Sequence, residues 1–323
     1  MGLLTGDLLK CLMKPGPRQP WVVDWLLSSV WSPKRFGSVP PENYLAEGEK
    51  LVHELEELLS AAAQRFSDEL AAAAVQTKPL FDGLPDHQTA VIVFDGASLR
   101  EIPLFLKLAE QSGFRVIESS VSHAAVPSKT TDFVEQRLIG KPVGPKDLPH
   151  RKELKERGIR VWYFDAPIRT NQIHASAGEN LLLWSAFPDV TYMDSGARFA
   201  KHFAELQPLF ETVWKNTVMQ VPRGYRIIIT SDHGYIFFGA GLESTRSDEV
   251  CGLLDQDRAK KFGPDESLPA EHPDLQIFPN RRLAMVRGRI KNRPQGMAGN
   301  RVYRHGGLSI MEMLTPWLVL EKE

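Results

Sequence analysis

The chain has 323 residues, 42% hydrophobic and 24% charged, which is enough apolar material for one large α/β domain or two smaller ones. Its formal net charge of -1 excludes a global field that would draw in nucleic acid or membrane, so any basic surface must be local. Two cysteines, Cys11 and Cys251, make neither a disulfide framework nor a cysteine-based zinc site, and no apolar run of about 18 residues suggests a membrane span.

Near the start, Leu3, Leu4, Leu8 and Leu9 are interrupted by Thr5, Gly6 and Asp7, which is too polar for a secretory signal, so a cytoplasmic location is expected. Up to about residue 41, Pro15, Pro17, Pro20, Pro33, Pro40 and Pro41 punctuate a segment bearing Trp21, Trp25 and Trp31, which reads as an irregular piece lying across the main domain. From Glu42 to Gln76, Leu51, Leu55, Leu58 and Leu59 recur at helical spacing among frequent alanines. The pattern predicts one long helix covering the core and lasts too few heptads for a coiled coil. Residues 1–88 therefore read as an N-terminal helical extension and 89–323 as an α/β body.

In that body Ala90–Phe94 is a buried-strand run ending at Asp95-Gly96. A helix is predicted over Leu99–Gln111 and a strand over Phe114–Ile117, followed by Pro127 and a hydroxyl-rich helix start, Ser128-Lys129-Thr130-Thr131-Asp132. Leu154–Gly158 closes another helical piece, and the strand Ile159–Phe164 ends at Asp165. A helix over Gly196–Asn216 leads into the strand Ile227–Ile229, which stops at Thr230-Ser231-Asp232-His233-Gly234, where Gly234 lets the backbone turn away. This alternation predicts a mostly parallel sheet with helices on both faces. Over 239–300 the pattern weakens to an irregular basic insertion with a short strand or hairpin near Leu283–Ile290. The chain closes with Tyr303-Arg304-His305-Gly306-Gly307-Leu308-Ser309, a helix over Ile310–Leu314 and Pro316.

Asp95, Asp165, Asp232 and His233 each follow an apolar strand, and His305 follows a short turn. In a parallel sheet these positions converge on one rim, beyond the carboxyl ends of the strands. Three carboxylates and two imidazoles brought together repel and desolvate one another unless cations neutralise them. A two-metal centre satisfies that demand and suits displacement at phosphorus. The helix start at Ser128 adds backbone N–H groups for an anion and a hydroxyl that could attack, with Ser128 the first choice, Thr130 the second and Ser98 the third. Each residue also has a plainer role: Asp95 as a helix cap, Asp232 and His233 as a cap beside a surface histidine, His305 as a core histidine.

Arg281, Arg282, Arg287, Arg289, Lys291, Arg293, Arg301 and Arg304 lie in a stretch, Leu275 to Ile310, that holds no Asp or Glu. Charge runs are usually solvated faces, but this one leads into His305, so it reads as a basic wall that guides a phosphate backbone, with Arg301 and Arg304 at the substrate and Tyr303 stacked on a base.

The segments Ile92–Arg100, Pro127–Thr130, Thr230–Gly234 and Tyr303–Glu312 resemble the ordered motifs of the PglZ domain, within the alkaline phosphatase-like superfamily. The resemblance spans about Thr89 to Leu320, and its most specific part is the Gly-Gly-Leu-Ser and Glu that follow His305. It implies a three-layer α/β/α fold and two divalent metal ions, usually zinc, with manganese or magnesium as alternatives. It further implies hydrolysis of phosphoesters or phosphodiesters, often in bacterial phage-defence systems of the BREX type. Carried over by position, Asp95, Asp232 and His233 would hold one metal with the nucleophile, while His305 and an upstream aspartate, Asp165, would hold the other. The superfamily often places His four residues after that second aspartate, whereas Arg169 stands there in this sequence, which leaves His174 or Asp194 as substitutes or the site altered.

The expected function is thus a phosphodiesterase or nuclease acting on nucleic acid or a nucleotide signal. The alternative is a catalytically weak scaffold that assembles a defence complex through residues 1–88. A mutase moving phosphate within a small metabolite shares the same metal logic.

Overall fold

Strands that are apolar on both faces must be covered on both faces, and the alternating residues of this chain divide accordingly. The computed structural model describes residues 6–62, 65–84, 88–165, 173–176, 178–192, 199–238, 247–290 and 303–322. Along the first half run β1 (Thr89–Phe94), β2 (Phe114–His123), β3 (Ile159–Phe164), β4 (Asn180–Ser185) and β5 (Arg226–Thr230). Five short strands follow: β6 (Ile236–Phe237), β7 (Ala259–Lys261), β8 (Leu275–Phe278), β9 (Leu283–Val286) and β10 (Tyr303–Arg304). The chain then closes on β11 (Leu314–Lys322).

The main sheet has the order β2-β11-β5-β1-β4-β3. β1 pairs in parallel with β4 and β5, and β3 with β4, while β11 runs antiparallel to both β5 and β2. Only β11 is reversed, so the carboxyl ends of the other strands share one rim. Ala90, Ile92 and Phe94 of β1 enter one core with Val52 and Leu55 of helix Pro41–Ala62, Phe105 of helix Ile102–Gln111 and Phe210 of helix Phe199–Asn216. Val91 and Val93 enter the opposite core with Phe133, Leu138 and Leu154. The protein is a three-layer α/β fold with a mostly parallel sheet, as expected.

One feature of the extension differs from the sequence reading. The proline-rich start holds short helices, Gly6–Leu12, Gln19–Trp25 and Pro33–Ser38, because Pro20 and Pro33 stand in first turns, where the missing N–H is unbonded anyway. The long helical stretch is helical over Pro41–Ala62 and Arg65–Gln76, and residues 63–64 between them lie outside the described residues. Trp25, Trp31 and Tyr44 lie in the same core as Ile92, so extension and body share one apolar interior.

Two strands of the main sheet escaped the sequence reading, β4 and β11. Pro316 suggested a helix stop, yet the helix Ile310–Met313 is only one turn and β11 follows it. The proline is tolerated because the pairing of β11 with β5 begins at Trp317–Thr230, so Pro316 is flanked by β2 alone. The insertion is also ordered over 247–290: β7, β9 and β8 form a small sheet whose core holds Val250, Leu254, Phe262 and Val286.

At the end of β2, His123 Nε2 lies 2.6 Å from Gln19 Nε2 of the extension, and Nδ1 3.4 Å from Thr77 Oγ1. Burial, with the Arg137 guanidinium nearby, pushes its pKa down to about 4. A depressed histidine favours the neutral form in the fold, so its stabilisation is complete above the unfolded value of about 6.5 and is lost as pH falls toward 4. Denaturant unfolding across that window is expected to show a steeper loss of stability for the native protein than for His123→Gln.

Candidate metal centre

The three middle strands β5, β1 and β4 are adjacent, and each delivers a carboxylate to the common rim. Asp95 follows β1 directly, Asp232 and His233 lie just past β5, and Asp189 opens the short helix Asp189–Tyr192 beyond β4. His305 arrives from β10, which pairs with β6 through Tyr303–Phe237 and Arg304–Ile236.

Asp95, Asp232 and His233 form a buried group whose donor atoms lie within 4.8 Å of one another. His233 Nε2 is 3.7 Å from Asp95 Oδ1 and 3.5 Å from Asp232 Oδ2. Those two oxygens are buried and have no partner at hydrogen-bond geometry. The other oxygen of each is anchored from behind, Asp95 Oδ2 by the Trp184 indole N–H at 3.1 Å and Asp232 Oδ1 by the Gly96 backbone N–H at 3.1 Å. His233 Nδ1 is 3.0 Å from the Gly234 carbonyl, which can only accept, so Nδ1 carries the proton and Nε2 offers a lone pair.

Burial, followed by the charges of Asp232 and Asp189, pushes the Asp95 carboxyl well above its usual range. A bound cation reverses that balance by favouring the carboxylate. Two converging carboxylate oxygens without a hydrogen-bond partner, and an imidazole nitrogen bonded only by the Thr130 hydroxyl among the described residues, fit a divalent metal ion.

A second group, Asp189, His233 and His305, adjoins the first. The His305 ring stacks on His233 with centroids 3.9 Å apart and planes 7° from parallel, and its Nδ1 lies 3.2 Å from the Ser128 carbonyl oxygen. Burial and the neighbouring His233 push the His305 pKa down to about 4, which keeps the ring neutral and able to ligate near neutrality. Asp189 donates its backbone N–H to the Asp95 carbonyl at 3.0 Å and accepts a hydrogen bond from the Tyr303 hydroxyl.

Asp165 was the expected second aspartate, but it lies exposed at the end of β3, the sheet edge, with β4 between it and β1. Asp189 stands in the place expected for it. A signal was available, since Leu181-Leu182-Leu183-Trp184 is an apolar run of strand length with an aspartate soon after. Residue 193 is Met, so an Asp with His four residues later is not restored at Asp189. His174 is exposed, its carbonyl bonded to Arg160, and it is not in either group. Arg169, Asp194 and Arg301 lie outside the described residues.

Of the three hydroxyls weighed, Thr130 is the one at the cluster, with Oγ1 3.3 Å from His233 Nε2. Ser128 is fully buried, donating to the Gly307 carbonyl at 2.8 Å and accepting the Gly306 N–H at 3.1 Å. Ser98 caps the turn Leu99–Glu101. Ser128→Ala is expected to lower unfolding free energy by about 1–3 kcal/mol in urea, as for a lost buried hydrogen bond, without changing metal content.

The motif after His305 is a lock. Ser309 caps the final helix, and Glu312 accepts the Gly307 N–H at 2.8 Å while holding Arg258 with two hydrogen bonds, 2.6 and 2.8 Å. Gly234 is needed for close approach rather than for the turn expected of it: a methyl there would collide with the Met311 carbonyl oxygen. Gly234→Ala is expected to yield little soluble protein, measured as soluble fraction on expression, because backbone must move on both sides.

Each described arginine of the basic run has a partner within the chain, and Arg289 is buried. Arg281 donates to the Val126 carbonyl at 3.1 Å, Arg282 to Gly263 at 3.1 Å and Arg287 to Leu275 at 2.9 Å. Arg289 pairs with Glu49 at 3.0 Å, and Arg304 with Asp257 at 3.1 Å. Tyr303 is only 6% exposed, which removes it as a surface platform for a base. Lys291 and Arg293 lie outside the described residues.

No family model matches the chain, and no curated protein matches it. Solved structures with a related arrangement include murine ectonucleotide pyrophosphatase/phosphodiesterase 5, at 13% identity and TM-score 0.44, covering 72% of this chain and 88% of that one. Another is phosphonoacetate hydrolase from Sinorhizobium meliloti 1021 in complex with phosphonoacetate, at 13% identity and TM-score 0.40, covering 73% and 90%. The human form of the first is similar at 13% identity and TM-score 0.38, covering 72% and 87%. Among the described residues no helix is long and apolar enough to cross a membrane.

Proposed function

We propose that this chain is a metal-dependent phosphoesterase, with a phosphodiester as the preferred substrate and Thr130 as the nucleophile. The observation that carries this is the convergence of two buried, unpartnered carboxylate oxygens and an imidazole nitrogen that meets the Thr130 hydroxyl. Asp95, Asp232 and His233 would hold one divalent ion, and Asp189 and His305 the second. Mixed oxygen and nitrogen donors favour zinc, with manganese or magnesium as alternatives. When bound, such ions polarise a phosphoryl group and lower the pKa of a hydroxyl.

Thr130 heads the helix Thr130–Val134 and is half-buried, so its hydroxyl faces the rim while its backbone is held. Attack forms a bond from Oγ1 to phosphorus and breaks the bond to the leaving alcohol; the Oγ1 proton passes to solvent and the departing alkoxide takes one from solvent, so the protons balance. Water then cleaves the phosphothreonyl ester and restores the hydroxyl. Trp184 and the Gly96 N–H hold the two carboxylates in place throughout.

Lys129 Nζ sits 2.8 Å from Asp257, and Arg304 shares that carboxylate, so one of these two positive charges is offset and a single one remains between them. That favours the single charge of a diester over the double charge of a monoester. The partners that the described arginines find within the chain favour a nucleotide-sized substrate over a long nucleic acid. Membership of the PglZ domain family and a part in phage defence remain proposals that rest on the motifs around Asp95, Thr130, Asp232 and His305.

The scaffold reading draws support from Met193 in place of a histidine, which leaves the second group short of a ligand of its own. Metal content of protein purified without chelator separates the two readings, with activity on an aryl phosphodiester and on cyclic nucleotides. Two ions per chain and metal-stimulated turnover support the hydrolase; no bound ion and no turnover, after zinc and manganese are added back, would leave the scaffold.

A further inference from the structure

The three clustered carboxylates share a device. Each is gripped at one oxygen by a donor outside the cluster: Asp95 by Trp184, Asp232 by the Gly96 N–H, and Asp189 by the Tyr303 hydroxyl. The first two grips turn the free oxygens, Asp95 Oδ1 and Asp232 Oδ2, toward His233. The third has no place in the reaction described above.

Tyr303 is firmly mounted. Its ring stacks on Tyr192 with centroids 5.1 Å apart and planes 15° from parallel, and meets Tyr235 at 5.0 Å and 40°. Behind it, the Tyr192 and Tyr235 hydroxyls donate to Glu101 Oε1 at 2.9 and 2.8 Å, and Glu101 Oε2 takes the Ser98 N–H at 2.7 Å and hydroxyl at 2.8 Å. A phenol mounted this way delivers its hydroxyl to one point.

Asp189 needs such a hold. It starts a helix of only four residues, and its charge and that of Asp95 repel each other. Unrestrained, its carboxylate would turn toward solvent and away from His305.

We propose that Tyr303 is a positioning residue that fixes the Asp189 carboxylate for the cation held with His305, with Tyr192, Tyr235 and Glu101 as its mount. This rests on the metal-centre reading. Outer partners of metal ligands typically change metal affinity by about 10–100-fold.

The test is a zinc titration, by calorimetry, of chelator-treated full-length protein as wild type, Tyr303→Phe and Tyr192→Phe. Tyr303→Phe keeps the ring stack and removes only the hydroxyl that reaches Asp189. The expected result is two sites in wild type, one unchanged site and another weakened by about 10–100-fold in Tyr303→Phe, and a smaller weakening of that same site in Tyr192→Phe, whose ring still stacks on Tyr303. Unfolding of the metal-free proteins should show similar midpoints for wild type and Tyr303→Phe. Wild-type affinity at both sites of Tyr303→Phe would overturn the proposal alone. Fewer than two ions in wild type would overturn it together with the two-metal reading. A Tyr303→Phe chain that does not fold where Tyr192→Phe does would make the hydroxyl a fold element, and the assignment would fall.

Discussion

Thr130→Ala is expected to reduce turnover of an aryl phosphodiester by on the order of 1,000-fold or more while the protein still binds its metals. The side chain is half-buried at a helix start and has no packing duty comparable to that of Ser128, so truncation should leave the fold intact. Asp232→Ala should abolish turnover by a different route, because it removes one of the two orphaned oxygens that face His233, and metal content should drop with it. The comparison is decisive because the two losses differ in kind. Full activity in Thr130→Ala would remove the covalent route and leave water as the attacking group. Full metal content in Asp232→Ala would remove the reading of the cluster as a metal centre.

Local pattern and tertiary arrangement contributed differently to what could be read beforehand. Asp95, Asp232 and His233 stand at the ends of apolar runs, so strand chemistry alone places them on one rim, and the structure gathers them there. Asp189 was missed because its standing depends on strand order. Only the insertion of β4 between β1 and β3 moves Asp165 to the edge and brings the β4 end beside Asp95. No periodicity encodes that choice.

The arginines show the same limit. Their clustering between Leu275 and Ile310 is plain in sequence, but their partners are not, since Arg289 pairs with a glutamate 240 positions earlier and Arg304 with an aspartate 47 positions earlier. A charge run looks like a binding surface until its counter-ions are found. Tyr303 was placed near the site for a sound reason, its adjacency to His305, yet its ring turns inward because β10 pairs with β6. The extension was read as lying across the body with a helix covering its core, and Trp25, Trp31 and Tyr44 share one apolar interior with Ile92.

The second large effect is expected at Glu49, in the helix Pro41–Ala62. Its carboxylate is fully buried and lies 2.5 Å from Arg100 Nε and 3.0 Å from Arg289 Nη1. Glu56 completes the set by pairing with Arg289 and accepting the Ile310 N–H at 2.6 Å. Burial alone would raise the Glu49 carboxyl, and the two guanidinium groups more than offset it, so the carboxyl lies below its usual range. Its stabilisation is therefore present above the usual carboxylate pKa and lost as pH falls through the lowered one.

Glu49→Gln leaves two buried guanidinium groups against one carboxylate, and the expected loss is about 3–5 kcal/mol in urea unfolding at neutral pH. An unchanged midpoint would mean that Glu56 alone can neutralise both arginines. Arg100 also donates to Ser98 Oγ and to the Tyr235 carbonyl, each at 2.9 Å, so the strain of an unpaired charge falls on the mount of Tyr303 and on the segment just past His233. Removing residues 1–76 takes away both glutamates and uncovers the apolar layer that contains Ile92 and Phe105. A truncated chain that loses its partners or its activity has then lost its fold first, so the role of the extension is better tested by Glu49→Gln than by deletion.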